Sequence, residues 1–337
     1  MYSKVYEKIK QYLQENIKPI IFFTLLYLCF TYPLPYHIYT SGGIMNINQK
    51  VTIDDEYQPK GSFNFAYVNE LKGTIPTILL SYVIPSWELV KTEEGGTKTE
   101  EEEDVRYRDR LFLIDSIQNA TTYVYKLLNK EVKITDRKFY VVYVAEEAMT
   151  NLKVKDEILS LNRVKMQDIN DYLKAVEQTK IGDSISLLVK DETNMIKNKT
   201  IKVFNYQNHK ITGIYIIPKL DYTTNPVITY HFTENESGPS GGLMLALTIY
   251  NKLTKEDITK GKRIVGTGTL DLNGNVGSIS GLEYKLKAAV NKKADIFLAP
   301  SGNYQEALDL LDKNNYNIQI LKVLTFSDAL NYLQMMK

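Results

Sequence analysis

The sequence predicts an α+β protein preceded by one N-terminal transmembrane helix. Three observations carry that expectation. No charged residue occurs from Pro19 to Gln49. Residues 137–206 read as short β runs around a single amphipathic helix. From Lys210 to the end, strand-like and helix-like segments alternate, the pattern of an α/β or α+β domain.

The uncharged run is densest in apolar residues from Ile20 to Tyr32. A helix needs roughly 20 apolar residues to cross a bilayer, so residues 19–39 are just long enough. Pro33 and Pro35 make the second half irregular. Lys4, Lys8, Lys10 and Lys18 precede the run, which favours a cytoplasmic 1–18 and an external remainder on a single-pass cell-membrane anchor. The competing reading is a cleaved signal peptide. The following Pro-Leu-Pro-Tyr-His offers no small-x-small cleavage site, which favours the anchor.

Residues 45–130 read as β-rich with one helix. Strands are expected at Val51–Ile53, Gly61–Val68 and the apolar run after Thr77. Lys91–Asp104 is polar and acidic and reads as a solvated loop. Leu113, Ile117, Ala120, Val124 and Leu127 recur at helical spacing, giving a helix within 105–130. In the 137–206 unit, β runs are expected at Phe139–Val144, Gly182–Val189 and Thr200–Phe204, and a helix at Asp168–Glu177. Beyond it, strands are expected at Gly213–Ile217, Pro226–Phe232, Arg263–Leu270, Val276–Ile279, Asp295–Leu298 and Ile318–Val323. Helices are expected at Ser240–Leu253, Gly281–Asn291, Tyr304–Asp312 and Ser327–Met335. Asn273-Gly274 between β runs is a hairpin-turn signal.

Composition narrows the chemistry. The 337 residues carry a net charge of +1, so nothing suggests nucleic acid as a partner. The sole cysteine, Cys29, lies in the apolar run, which excludes intrachain disulfides and a Cys-rich zinc site. His37, His209 and His231 lack metal-ligand spacing. No GxxxxGK[ST] phosphate loop occurs, so no such nucleotide site and no cofactor is expected.

One constellation stands out. Gly238-Pro239-Ser240-Gly241-Gly242 places a serine in a sharp turn opening an apolar helix. The glycines allow close approach of a substrate backbone, and the helix start supplies free N–H groups and a positive dipole end. Taken alone, such a turn also fits a plain helix start or an anion-binding loop. A serine hydroxyl needs a base, and Lys285 in the first turn of a later helix is a candidate. Its ordinary pKa of ~10.4 must fall by roughly 2–3 pH units, which burial and a helix N-terminus both favour. On a helical wheel Lys285 lies about 60° from Leu282, at the edge of the apolar face. Lys287 lies about 140° away and should face solvent. The pair predicts a Ser–Lys hydrolase acting on peptide bonds.

Residues from about Pro226 to Val323 resemble the proteolytic domain of Lon-type proteases. Gly238–Gly242 matches its nucleophile motif, commonly G-P-S-A-G, with Gly238, Pro239 and Gly241 supporting Ser240. Gly266-Thr267-Gly268 matches its T-G segment, which implies that Thr267 orients the lysine. Asn273 to Lys285 matches a run ending in the catalytic lysine, which implies Lys285 rather than Lys287. The order L-x-V-x-D-x-I-x-x-L-N followed by G-D-x-I-x-L resembles a bacterial PDZ domain at 137–206, a peptide-binding module. The whole arrangement resembles PDZ-containing, membrane-anchored Lon-like proteases, which implies an ATP-independent serine endopeptidase of the cell envelope acting on peptides or flexible protein segments, with homo-oligomers possible. Its Lon-type domain would span 210–337, and similarity at Lys60–Phe63 suggests that 45–130 packs with it.

The departures are specific. Gly241 replaces the common alanine, and Ser278 and Ser280 replace a proline and a glycine, which predicts a looser turn. Thr135–Phe139 lacks the glycine-rich loop that would hold a free peptide C-terminus. Glu236 and His231 lie upstream of Ser240, but neither is assigned a catalytic role. The rival reading is a membrane-anchored PDZ adaptor whose Lon-like domain is idle.

Overall fold

The computed structural model describes residues 2–91 and 101–336. Residues 1–43 with 67–95 form one unit, and residues 44–66 with 96–337 another. The first begins with helices α1 (Tyr2–Glu15) and α2 (Ile17–Thr31), which bend by 72° at their junction. The segment expected to be a transmembrane helix over 19–39 is not a single helix. α2 stops at Thr31 ahead of Pro33 and Pro35, which donate no N–H and push their predecessors into extended geometry. Tyr36 already opens strand β1 (Tyr36–Asn46). At 1.5 Å per residue α2 reaches only about 22 Å, against a hydrocarbon core of ~30 Å. Among the described residues no single helix is long and apolar enough to cross a membrane, and only the bent α1–α2 pair has the length and composition.

Strand β2 (Val51–Ile53) belongs to the second unit, and β3 (Ser62–Lys72) runs through both. The run after Thr77, expected as a strand, is instead in helix α3 (Ile75–Val83). Pro76 sits in its first turn, where a missing N–H costs nothing, and the Thr77 hydroxyl accepts the Thr74 N–H at 2.7 Å. Strand β4 (Trp87–Lys91) returns antiparallel to β1, with Trp87 opposite Thr40.

Helix α4 (Glu102–Leu127) opens with Glu102, Glu103 and Asp104, acidic residues that suit the positive end of a helix. The expected loop at Lys91–Asp104 thus lies largely outside the described residues, and its last positions are helical. There follow β5 (Glu131–Val144), β6 (Glu157–Leu161), β7 (Val164–Lys165), α5 (Ile169–Gln178), β8 (Ser184–Lys190), β9 (Ile196–Lys202), β10 (Phe204–Tyr206), β11 (His209–Ile211) and β12 (Ile214–Asn225). An antiparallel sheet runs β12-β5-β6-β8-β9. In β8 the alternate residues Ile185, Leu187 and Val189 are buried, against Tyr172 and Val176 of α5. A buried ion pair, Lys199 to Asp156 at 2.6 Å, closes this core. β5 and β12 continue as a paired ribbon to Glu131–Asn225. Gln118 of α4 holds that ribbon, donating to the Pro218 carbonyl at 2.7 Å and accepting from the Leu220 N–H at 3.0 Å.

The rest of the chain supplies β13 (Ile228–Tyr230), α6 (Gly242–Leu253), β14 (Arg263–Gly266), β15 (Thr269–Leu270), β16 (Val276–Gly277), α7 (Leu282–Asn291), β17 (Ile296–Pro300), α8 (Tyr304–Asn314), β18 (Gln319–Val323) and α9 (Phe326–Met335). β18, β17, β14 and the first half of β3 pair in parallel, with Ile264 between Ile296 and Phe63. Every residue of β17 is buried, as expected for a parallel strand covered on both faces. β13 pairs with β2. Phe63, Val124, Leu243, Leu247 and Phe326 share one core, which joins β3, α4, α6 and α9. The expected strand Arg263–Leu270 breaks into β14 and β15 at Gly268, whose φ of +143° suits glycine. β15 and β16 form the hairpin signalled by Asn273-Gly274, with Gly274 at φ +84°.

Candidate active site

Ser240 lies half-buried in the turn that opens α6. Bonds from α4 and from the β14–β15 break fix that turn. The Gly238 N–H donates to the Asp109 carbonyl of α4 at 3.0 Å, and the Ser116 hydroxyl donates to the Pro239 carbonyl at 2.8 Å. From the β14–β15 break, the Gly268 N–H and the Thr267 hydroxyl donate to the Ser240 carbonyl at 2.8 and 3.2 Å. The Leu243 N–H returns to the Gly268 carbonyl at 3.1 Å. Gly242 is required by space: a Cβ there would stand 2.7 Å from the Leu270 nitrogen. At Gly241 a Cβ would meet the Phe65 ring at 3.3 Å, so an alanine fits if that ring gives slightly. Among the described residues the Ser240 hydroxyl and the Ser240 and Gly241 N–H groups make no hydrogen bond. A nucleophile beside free amides at a helix start has the parts needed to attack a carbonyl and hold the resulting oxyanion.

Lys285 sits in the first turn of α7, which starts after Gly281 at φ +69°. Leu282, Leu286 and Ala289 are fully buried, and Lys285, at the edge of that face, is only 6% exposed. Burial pulls its pKa from 10.5 to about 8. Its amine donates to the Ser280 carbonyl at 3.1 Å. Lys287, expected to face solvent, is partly exposed. β15 and β16 connect the two halves of the site, because Thr269 opposite Gly277 sets the segment leading to Lys285 beside the one that holds Ser240. Thr267 is fully buried, and its hydroxyl serves the Ser240 carbonyl rather than the lysine amine. The Ser240 hydroxyl and the Lys285 amine are not hydrogen-bonded to each other.

Asn303 was not legible as a site residue. Its carboxamide accepts the Ile279 N–H at 2.9 Å and donates to the Ile279 carbonyl at 3.0 Å, like a paired strand, and so clamps the 278–281 turn ahead of Lys285. The turn expected to be loose because of Ser278 and Ser280 is thereby held. Pro300-Ser301-Gly302-Asn303 reads locally as an ordinary turn, so no signal marked it. Glu236 anchors the loop before Ser240. Its carboxylate takes Lys50 at 2.8 Å and the Thr233 N–H at 2.7 Å, and its carbonyl takes Arg110 at 3.2 Å. Burial alone would raise its pKa, but the Lys50 and Thr233 bonds to the carboxylate bring it below the ordinary value. His231 is exposed, with Nε2 3.2 Å from the Thr52 hydroxyl.

Residues 222–335 match the Lon protease (S16) C-terminal proteolytic domain. Similar curated proteins agree with that match. The Lon protease of Campylobacter jejuni is 33% identical over 127 residues, covering 35% of this chain and 15% of that one. Lon protease 2 of Bacillus subtilis is 34% identical over 94 residues, covering 28% and 16%. The Lon protease of Brucella suis is 23% identical over 246 residues, covering 72% and 29%. The chain thus spans 15–29% of the length of these Lon proteases. Among solved structures, the PDZ domain of an SdrC-like protein from Listeria monocytogenes matches at 18% identity and a TM-score of 0.22, covering 25% of this chain and 92% of that one. The Lon-type match supports a serine protease, and it contains both Ser240 and Lys285.

Proposed function

We propose that the chain is an ATP-independent serine endopeptidase in which Ser240 is the nucleophile and Lys285 the base. Neutral Lys285 takes the hydroxyl proton as Ser240 attacks a peptide carbonyl. The Ser240 and Gly241 N–H groups take up the oxyanion charge. The lysine ammonium then protonates the leaving nitrogen, and a water activated by the same amine releases the acyl group. The observation that carries this reading is the buried Lys285 amine, whose pKa of about 8 leaves a usable neutral fraction near neutrality. Its present partner, the Ser280 carbonyl, is exchanged for the Ser240 hydroxyl when substrate closes the site, since catalytic bonds commonly tighten only then. Substrates are peptides or flexible segments, with residues 137–206 presenting them in the manner of a PDZ domain. The setting is the cell envelope, with the chain anchored through α1–α2.

Cleavage of a flexible peptide panel tests the dyad. Ser240→Ala and Lys285→Ala are each expected to lower turnover by at least ~10²-fold, the scale of a lost general base. Unchanged turnover in either variant overturns the dyad. Lys285 bonding to a carbonyl rather than to Ser240 also suits the second reading, a membrane-anchored adaptor with an idle site. That reading gains if the wild-type chain binds the panel without cutting it.

A further inference from the structure

We propose that α1 is an interfacial helix that lies along an anionic lipid surface where α2 enters the bilayer. The inference rests on the reading of α1–α2 as the membrane anchor. At about 100° per residue, Tyr12, Val5, Ile9, Leu13 and Tyr6 of α1 fall within one arc of about 120°. All five are exposed. Lys8 and Lys10 stand about 40° beyond the two edges of that arc, one on each side. Glu7 and Gln11 lie about 160° from its centre. An apolar stripe with lysines along both margins and polar groups opposite suits the boundary between acyl chains and headgroups. The apolar side chains enter the edge of the hydrocarbon. The lysine stems run along that edge while their amines reach the lipid phosphates. α1 does not suit a span of its own, since Glu7, Lys8, Lys10 and Glu15 would have to enter hydrocarbon.

The junction with α2 turns the arc toward lipid. α2 is apolar around its whole circumference, carries Lys18 as its one charge, and buries no residue. Such a helix belongs in a core or in lipid, and α2 lies in no core. Pro19 has no N–H to donate to the Glu15 carbonyl, which permits the 72° bend between the helices. With α2 upright in a bilayer, that bend lays α1 nearly flat against the surface. Tyr12, on the apolar arc, lines the crook of the bend with Ile20, Phe23 and Tyr27 of α2. The apolar side of α1 therefore faces the direction in which α2 descends. Asn16, at the corner, is bonded within the chain, its carboxamide donating to the Tyr12 carbonyl at 2.9 Å. Lys18, in the first turn of α2, adds a third amine near the headgroup level. A protein docked on α1 would have to share this crook with the lipid around α2, whereas a bilayer covers both helices at once.

Spin labels report depth directly. Cys29→Ser removes the sole cysteine, and Ile9→Cys or Gln11→Cys then carries a nitroxide on the apolar or the polar side of α1. The full-length chain is reconstituted into phosphatidylcholine–phosphatidylglycerol vesicles and floated on a density gradient. Power saturation is then measured with oxygen or with an aqueous nickel chelate. Position 9 is expected to be open to oxygen and shielded from nickel, and position 11 the reverse. Lys8→Glu combined with Lys10→Glu should raise nickel access at position 9 by roughly 5-fold, the weight of about one surface lysine. Flotation, carried by α2, and peptide cleavage should be kept in that variant. Unchanged access there overturns the anionic surface as the occupant. Flotation with both positions open to nickel overturns the proposal and spares the anchor. Both positions open to oxygen and closed to nickel put α1 inside the bilayer and overturn it too. A position 9 closed to both reagents assigns the arc to a contact between protein chains instead. Failure to float overturns anchor and proposal together.

Discussion

Burying Lys285 costs stability and lowers its basicity. Its folded pKa of about 8 lies below the ordinary 10.5, so the folded protein resists protonating it. Between those values the unfolded chain binds more protons, and stability rises as pH climbs through the window. Below about pH 8 the full penalty applies, roughly 3 kcal/mol. Lys285→Met should therefore stabilise the protein at pH 7 by ~1–3 kcal/mol, less what is lost by leaving the Ser280 carbonyl unpaired. Urea unfolding should show that gain shrinking toward pH 10.5. In the wild type, turnover should climb with pH and level off, with an inflection at about 8. A flat pH–rate profile would remove Lys285 from the chemistry. The place of this lysine at the margin of an apolar face was legible from its spacing to Leu282, because a helix start and a heptad-like pattern are local facts. The bond made by Thr267 was not, because a fully buried hydroxyl takes whichever carbonyl the fold brings near.

Asn303 does for the 278–281 turn what a neighbouring strand would do. Asn303→Ala strips both partners from Ile279, leaving a backbone N–H and carbonyl unpaired at a cost of about 1–3 kcal/mol. Because the turn sets the depth of Lys285, the same variant should shift the inflection of the pH–rate profile toward the ordinary lysine value. A stability loss without that shift would make the clamp purely structural. The elements read wrongly from sequence failed for related reasons. Ile78, Leu79 and Leu80 suit a strand by composition, but Thr74 and Pro76 cap a helix start. Arg263–Leu270 looked continuous because nothing local shows that Gly268 turns its N–H toward Ser240. The long periodic helices α4, α6 and α7 were legible within a few residues, since their apolar spacing spans several turns.

At the scale of the whole chain, the Lon-type match at 222–335 stops short of the pieces that complete its fold. β14 pairs on one side with β17 and on the other with Ser62–Phe65 of β3, and the Asn64 carboxamide reaches the Ile264 carbonyl across 200 positions of sequence. Val124 and Phe63 lie in the same core as Leu243 and Leu247. A fragment spanning 210–337 would expose that edge and lose Ile47, Val51, Ile53, Phe63, Ala120, Val124 and Tyr125 from that core, so it should show no cooperative thermal transition where the full chain shows one. Only the short likeness at Lys60–Phe63 hinted at this in the sequence, because strand pairing over such a distance leaves no periodic trace.

The far end of the chain closes the same region. The Val276 N–H bonds the Leu324 carbonyl at 2.9 Å, and the Phe326 N–H bonds the Gly274 carbonyl at 2.8 Å. During synthesis the β3 segment must wait about 10–40 s for β14, at ~5–20 residues per second. The β15–β16 hairpin is completed later in synthesis but waits less, since residues 324–326 follow it more closely in sequence. The frame around Ser240 and Lys285 is therefore completed only after both residues have already left the ribosome.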